Sequence, residues 1–136
     1  MRTIDQNHYV DQAEQVIRTL QSRTRERRDG TSVPVPMVTT SKIRNLLAMT
    51  SDIYNETLGL PQGPLPERLR SRIEYLRVRF IYEAGKDPEG RVRDFVTEAK
   101  ILDILKEIQG DKDNFLLFAH YMEALVAFHK FYGGRD

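Results

Sequence analysis

The sequence predicts an all-α fold, a single-domain bundle of about five helices, and three observations carry that expectation. Apolar residues recur at i, i+3, i+4 and i+7 spacing over five segments of the chain. Glycine and proline are concentrated at the joints between those segments. At 136 residues and 40% hydrophobic content, the chain is the size of one domain and buries a sizeable core.

The first helix is expected within residues 1–29, from about Asn7 to Arg28, on the spacing of Val10, Ala13, Val16, Ile17 and Leu20. Its end carries Arg18, Arg23, Arg25, Arg27 and Arg28 against only Glu26 and Asp29. Two readings are open there: cations complementing the negative end of a helix dipole, or a phosphate-contacting patch. Residues 30–38 hold two prolines and no helical period, so an extended connector is expected. Thr39, Thr40 and Ser41 then offer hydroxyl acceptors for a helix start, and Ile43, Leu46, Leu47, Thr50, Ile53, Tyr54 and Leu58 mark its buried side. Lys42 and Arg44 fall at the beginning of that helix, where positive charge opposes the dipole and favours an anion.

Gly59 to Leu65 is a turn by composition, and Pro66 suits the first position of the next helix because its fixed φ is already helical. That helix, to Lys86, carries two stripes. Leu69, Ile73, Leu76, Phe80 and Ala84 form an apolar one, and Arg68, Arg72, Tyr75, Arg79, Tyr82 and Lys86 a cationic and aromatic one. Between Pro66 and Lys86 six basic residues stand against three acidic ones, a local charge of +3 in a chain of net charge +1. The arginines suit phosphate, but the same pattern describes a solvated face paired with Glu67, Glu74 and Glu83.

A fourth helix is expected from Asp87 to Gly110, with an apolar surface wide enough to meet more than one neighbour. Its eight acidic and five basic residues, counted from Asp87 to Asp113, place any polyanion surface elsewhere. The last helix, capped by Asp111 or Asp113 and stopped at Gly133-Gly134, is dense in aromatic residues suited to core and subunit contact.

Several function classes find little support. There is no glycine-rich phosphate loop and no cofactor motif, so no cofactor is expected. Cysteine is absent, which removes thiolate metal sites and cysteine nucleophiles. His120 and Glu123 stand three apart, yet a dimetal bundle needs carboxylates from several helices and a second His-bearing motif; the remaining histidines are His8 and His129. His120 and His129 are expected as a hydrogen-bonded edge of the core and a surface donor. No catalytic residue and no metal ligand are assigned. No apolar run approaches the ~20 residues of a membrane span, and the amino-terminal stretch lacks a signal-peptide core, so a cytoplasmic location is expected.

Three segments taken together resemble the small subunit of the type III-A CRISPR effector, the Csm complex. They are VTTSKIRNLLAMTSDIYNE at Val38 to Glu56, LRVRFIYEAGKD at Leu76 to Asp87 and DNFLLFAHYMEALVAFHKFYGG at Asp113 to Gly134. The resemblance implies a small helical, non-catalytic protein that packs in several copies beside a guide-RNA filament with other effector subunits and lines the path of the target RNA. It maps backbone-contacting cations onto Lys42 and Arg44, and onto Arg77, Arg79 and Lys86; Lys130 follows from its place in the closing motif. Arg68 and Arg72 come from the cationic stripe alone. The residues before Val38 match nothing carried over from the family. The competing classes are a helical adaptor that touches only protein and a small metalloenzyme built on His120, Glu123 and His129.

Overall fold

In the computed structural model, which describes residues 2–136, six helices and one short hairpin follow in the order α1 (Tyr9–Gln21), β1 (Thr24–Glu26), β2 (Ser32–Pro34), α2 (Thr40–Thr57), α3 (Glu67–Lys86), α4 (Arg91–Glu98), α5 (Ile101–Glu107) and α6 (Lys112–Phe131). The fold is mostly α. Helix α6 is the spine: α1 and α2 pack along it, α5 crosses its beginning, and α3 closes the bundle against α2, α4 and α5. Phe115, Phe118 and Tyr121 sit inside, with Phe118 meeting Phe80 of α3 edge to face at 6.2 Å and lying 6.3 Å from Phe115, whereas Phe131 at the end of the helix is exposed. Such ring pairs combine large apolar burial with a defined geometry.

Two of the expected boundaries move. Helix α1 stops at Gln21 rather than Arg28, and the arginine-rich segment turns back as an antiparallel ribbon in which Arg25 pairs with Val33. A helix through Arg28 would set Arg23 beside Arg27 and Arg25 beside Arg28, like charges one turn apart, which is unfavourable. The ribbon is closed by a three-residue turn: Gly30 N–H donates to Arg27 O at 3.0 Å, and Gly30 takes φ +87°. That left-handed position is one glycine adopts without strain. Asp29 Oδ1 completes the turn by accepting from the Thr31 amide at 3.0 Å and its hydroxyl at 2.6 Å. The two hydrogen bonds, the hydroxyl's foremost, lower the Asp29 pKa.

The expected fourth helix is broken in two by Lys100, whose φ of 57° is left-handed. The break lets one wide apolar surface serve two neighbours. Helix α4 buries Val92, Phe95 and Val96 against α1 and α3, whereas α5 turns Ile101, Ile104 and Leu105 toward α3 and α6. Tyr121 of α6 fastens the joint by donating its hydroxyl to Ala99 O at 2.9 Å, and burial pushes its phenol above the ordinary range.

The caps fall close to where the residue types predict. Thr39 accepts from the Lys42 amide at the start of α2, and Asp111 from the Asn114 amide at the start of α6. Asp87 ends α3, yet its carboxylate also receives the Val92 amide at 2.9 Å and so organises the entry into α4. Lys112 is buried and donates its ammonium to the carbonyls of Leu58 and Leu60, which ties the α2–α3 turn to the base of α6.

Candidate nucleic-acid interface

On α3 the division between stripes is as the spacing predicts: Leu69, Ile73, Leu76, Phe80 and Ala84 are buried, while Tyr75 and Tyr82 remain more than half exposed. The cations on the outer side come with their own carboxylates. Arg68 meets Glu56 of α2 at 2.7 Å, and Arg72 pairs with the same carboxylate. Arg79 lies 3.2 Å and Lys86 3.3 Å from Glu83, both also within cation–π range of the Tyr82 ring. The Glu56 pairs are open to water, so each adds little stability and exchanges readily for another anion, whereas Glu83 is buried and only its cations reach solvent. A guanidinium engaged by one carboxylate retains further donors.

Arg77 belongs to a different side. It pairs with Glu74 at 3.1 Å and lies about 160° round the helix from Arg79, at roughly 100° per residue, alongside Arg70. The stem of Arg70 in turn rests against Gly110 beyond α5.

Two of the larger grooves among the described residues border α2. One, of about 270 Å³, lies between α2 and α3 and is walled by Asn45, Met49, Asp52, Arg72, Tyr75 and Arg79. The other, of about 310 Å³, lies between α2 and α6, with Thr40, Ile43 and Val126 in its walls and Arg44 and Lys130 at its rim. Arg44 and Lys130 are exposed and, among the described residues, have no carboxylate within ion-pair distance. Both act electrostatically on Asp136, whose side chain accepts from the Ser41 hydroxyl at 2.7 Å and amide at 2.8 Å. Those two bonds lower its pKa, with Arg44 and Lys130 contributing from further off. Asp136 therefore sits at the start of α2, where a helix favours negative charge.

Lys42 plays another part. Its ammonium meets the Asp87 carboxylate at 2.9 Å, and the Asp87 side chain is almost fully enclosed. This hydrogen bond, followed by that of the Val92 amide, brings the Asp87 pKa down to about 2. Lys42 thus pins the start of α2 to the α3–α4 junction.

Of the eight cations expected from the sequence, Arg68, Arg72, Arg79 and Lys86 share one flank of α3, and Arg44 and Lys130 share the α2–α6 groove. Arg77 is displaced to the opposite flank, and Lys42 is committed to Asp87. Arg25, Arg27 and Arg28, which the sequence leaves open between helix-end cations and a phosphate-contacting patch, stand exposed on the hairpin rather than at a helix end. The Asp29-Gly30 pair was the signal for the turn that places them there.

His120 and His129 are tied into the packing of the bundle. His120 lies at the core edge, within 3.3 Å of the Tyr54 hydroxyl and stacked near Tyr9. His129, expected at the surface, is 1% exposed and meets Val38 O through Nε2 at 2.7 Å, with Gly134 packed over its ring. Among the described residues no group of three or more His, Cys, Asp or Glu side chains is placed to hold a metal ion. None of the described helices is long and apolar enough to cross a membrane.

Comparison with known proteins places this geometry in context. A family model described as Csm2 Type III-A matches residues 8–135. The chain is 38% identical over 136 residues, the whole of both chains, to the CRISPR system Cms protein Csm2 of Streptococcus thermophilus. It is 37% identical over 134 residues, 98% of each chain, to the protein of that name from Mycobacterium tuberculosis (strain CDC 1551 / Oshkosh). A third, from Enterococcus italicus, is 39% identical over 98 residues, 70% of this chain and 68% of that one.

Proposed function

We propose, for a chain that belongs to the type III-A Csm2 family, that it is a non-catalytic small subunit of a CRISPR ribonucleoprotein and holds the backbone of target RNA along the guide filament. The observation that supports this most directly is the siting of cations on both sides of α2. Arg44 and Lys130 rim one groove, and Arg72 and Arg79 wall the other. Arg68 and Lys86 extend the second set along α3. Helices fixed by a shared core hold these groups at set distances, which suits phosphates of regular spacing and leaves base identity unread.

Arg44 and Lys130 carry the larger share of the contact, because neither is held in an ion pair and Asp136 beside them is engaged by Ser41. Arg68, Arg72, Arg79 and Lys86 join by exchanging Glu56 and Glu83 for phosphate. Lys42 supports the site by fixing the start of α2, and Arg77 stands outside it. In this reading the partners are target RNA with its guide ribonucleoprotein, the other effector subunits and further copies of the chain, in the cytoplasm.

The test is retention of target RNA by the assembled ribonucleoprotein carrying Arg44→Ala and Lys130→Ala. The expected result is weaker binding for unrelated target sequences alike, with the slope of log affinity against log salt reduced by about 0.7 for each lost contact to single-stranded RNA. Unchanged retention across the salt series would overturn it.

A protein-only adaptor is the second reading, and one observation favours it. Tyr75, Val78, Ile81 and Tyr82 form an exposed apolar ridge along α3, each at least half exposed. Such a ridge suits a subunit contact. Cross-linking to photoreactive RNA within the assembled complex separates the two, since an adaptor acquires no RNA adduct.

A further inference from the structure

The hairpin between α1 and α2 carries a cluster of arginines of which, among the described residues, all but one lack an ion pair. Four arginines, Arg23, Arg25, Arg27 and Arg28, stand against Glu26 and Asp29, and every residue from Gln21 to Ser32 is exposed. Only Arg23, at the base, reaches a carboxylate, Asp94 of α4 at 3.6 Å. That contact and the Val35 amide donating to Arg23 O at 2.9 Å fix the root of the ribbon to the body.

The ribbon also sorts its side chains. Successive residues of a strand point to opposite faces, so Arg23, Arg25 and Arg27 share one face at intervals of about 7 Å, and Glu26 projects from the other. Asp29 is held by Thr31 within the turn, pointed at its own backbone rather than at the arginines.

We propose that this hairpin is an arm that grips the phosphodiester backbone of RNA, separately from the α2 grooves. The inference rests on the reading that the chain works against RNA. Guanidiniums form paired hydrogen bonds with phosphate oxygens, and the three unpaired ones, Arg25 and Arg27 on one face of the projecting ribbon and Arg28 in its turn, present a compact set to a regular polyanion. An acidic protein surface is the weaker fit. Protein contacts centre on buried aromatic or aliphatic anchors, and residues 21–32 contain no aromatic, Leu, Ile, Val or Met side chain. The same lack of rings removes base stacking, so the arm is indifferent to sequence.

The experiment compares assembled ribonucleoproteins containing the full chain as wild type, as Arg25→Ala/Arg27→Ala/Arg28→Ala, as the same three changed to Lys, and as Arg44→Ala/Lys130→Ala. Retention of a single-stranded target and of a guide–target duplex is measured from low to high salt, with subunit composition determined in parallel. The triple Ala form is expected to lose roughly 10–50-fold in affinity near 0.15 M salt and about two units of salt slope, at about 0.7 per contact on a single strand. The triple Lys form keeps most of the slope and loses less affinity, since charge survives and the fork does not. The side chains are exposed, so the melting temperature should stay within a degree or two of wild type.

Weakening confined to one of the two RNA probes identifies which backbone the arm meets and supports the proposal. Unchanged retention in the triple Ala form beside a weakened groove variant overturns the arm and leaves the groove reading intact. Unchanged retention in both overturns both. Loss of a protein subunit from the triple Ala form, with RNA cross-links preserved, overturns the arm as an RNA contact and assigns it to an acidic protein surface.

Discussion

Helix α3 and the hairpin are both rich in arginine, yet they present different fields to a ligand. On α3 the helical period brings residues three and four apart together, so Arg79 finds Glu83, Lys86 finds Glu83 and Arg77 finds Glu74 without any long-range arrangement. Glu56, from α2, adds a pair with Arg68 and another with Arg72. On the hairpin the two-residue period sends Glu26 to the face opposite Arg25 and Arg27. Arginine content alone therefore does not determine an electropositive surface. The period on which arginines and carboxylates are laid out determines whether they meet.

The comparison also extends to rigidity, which provides its largest test. The outer face of α3 is held in register by its inner one, where Phe80 is fully buried against Phe118. Phe80→Ala should cost about 3–5 kcal/mol, measured as a shift in the denaturation midpoint. A loss under about 1 kcal/mol would mean that α3 is not anchored through this stripe.

Next is the tie between Lys42 and Asp87. With a folded pKa of about 2 against an ordinary 3.8, Asp87 favours the folded state once it is ionised. Its contribution is complete above about pH 4 and is lost as pH falls through 2, since a lowered carboxylate pKa means that the unfolded chain takes up the proton first. The size is on the order of 2 kcal/mol. Asp87→Asn should lower neutral-pH stability by about that amount and flatten the dependence between pH 4 and 2. If the acid limb is unchanged, Asp87 is not the group responsible. Hairpin stability is a smaller, local matter: Gly30 at φ +87° makes Gly30→Ala cost about 1 kcal/mol. That loss should appear as faster amide exchange at Arg27 and Gly30, with little change in the global midpoint.

Much of this was readable in the chain, and the exceptions share a cause. The buried stripe of α3, the Thr39 and Asp111 caps and the stop at Gly133 follow from local spacing and residue type, and the structure has them. What local spacing does not contain is the angle between neighbours. The α4–α5 break at Lys100 arises because one wide apolar surface must meet helices lying in different directions. The enclosure of His129 arises because Val38 and Gly134, 91 residues behind and five ahead, close over it. The site follows the same rule. Arg77 is the exception: the motif grouped it with Arg79, although the helical period by itself puts residues two apart on nearly opposite sides. The pairing of Arg68 and Arg72 with Glu56 depends on how α2 lies on α3.

The smallest stability effect carries the most information about function. If the α3 carboxylates hold their arginines back from phosphate, Glu56→Gln together with Glu83→Gln should free Arg68, Arg72, Arg79 and Lys86 while nearly preserving side-chain shape. The open Glu56 pairs contribute about 0–1 kcal/mol each, and Glu83 is buried, so most of the loss of melting temperature is expected from its side. RNA retention by the assembled complex should rise, and its salt dependence should steepen, because four cations would then reach phosphate without first displacing a carboxylate. The same double change should leave the contribution of Arg25, Arg27 and Arg28 untouched, because neither carboxylate pairs with a hairpin arginine. Equal retention before and after would mean that α3 does not face RNA, and that its paired arginines serve the packing of α2 on α3 instead.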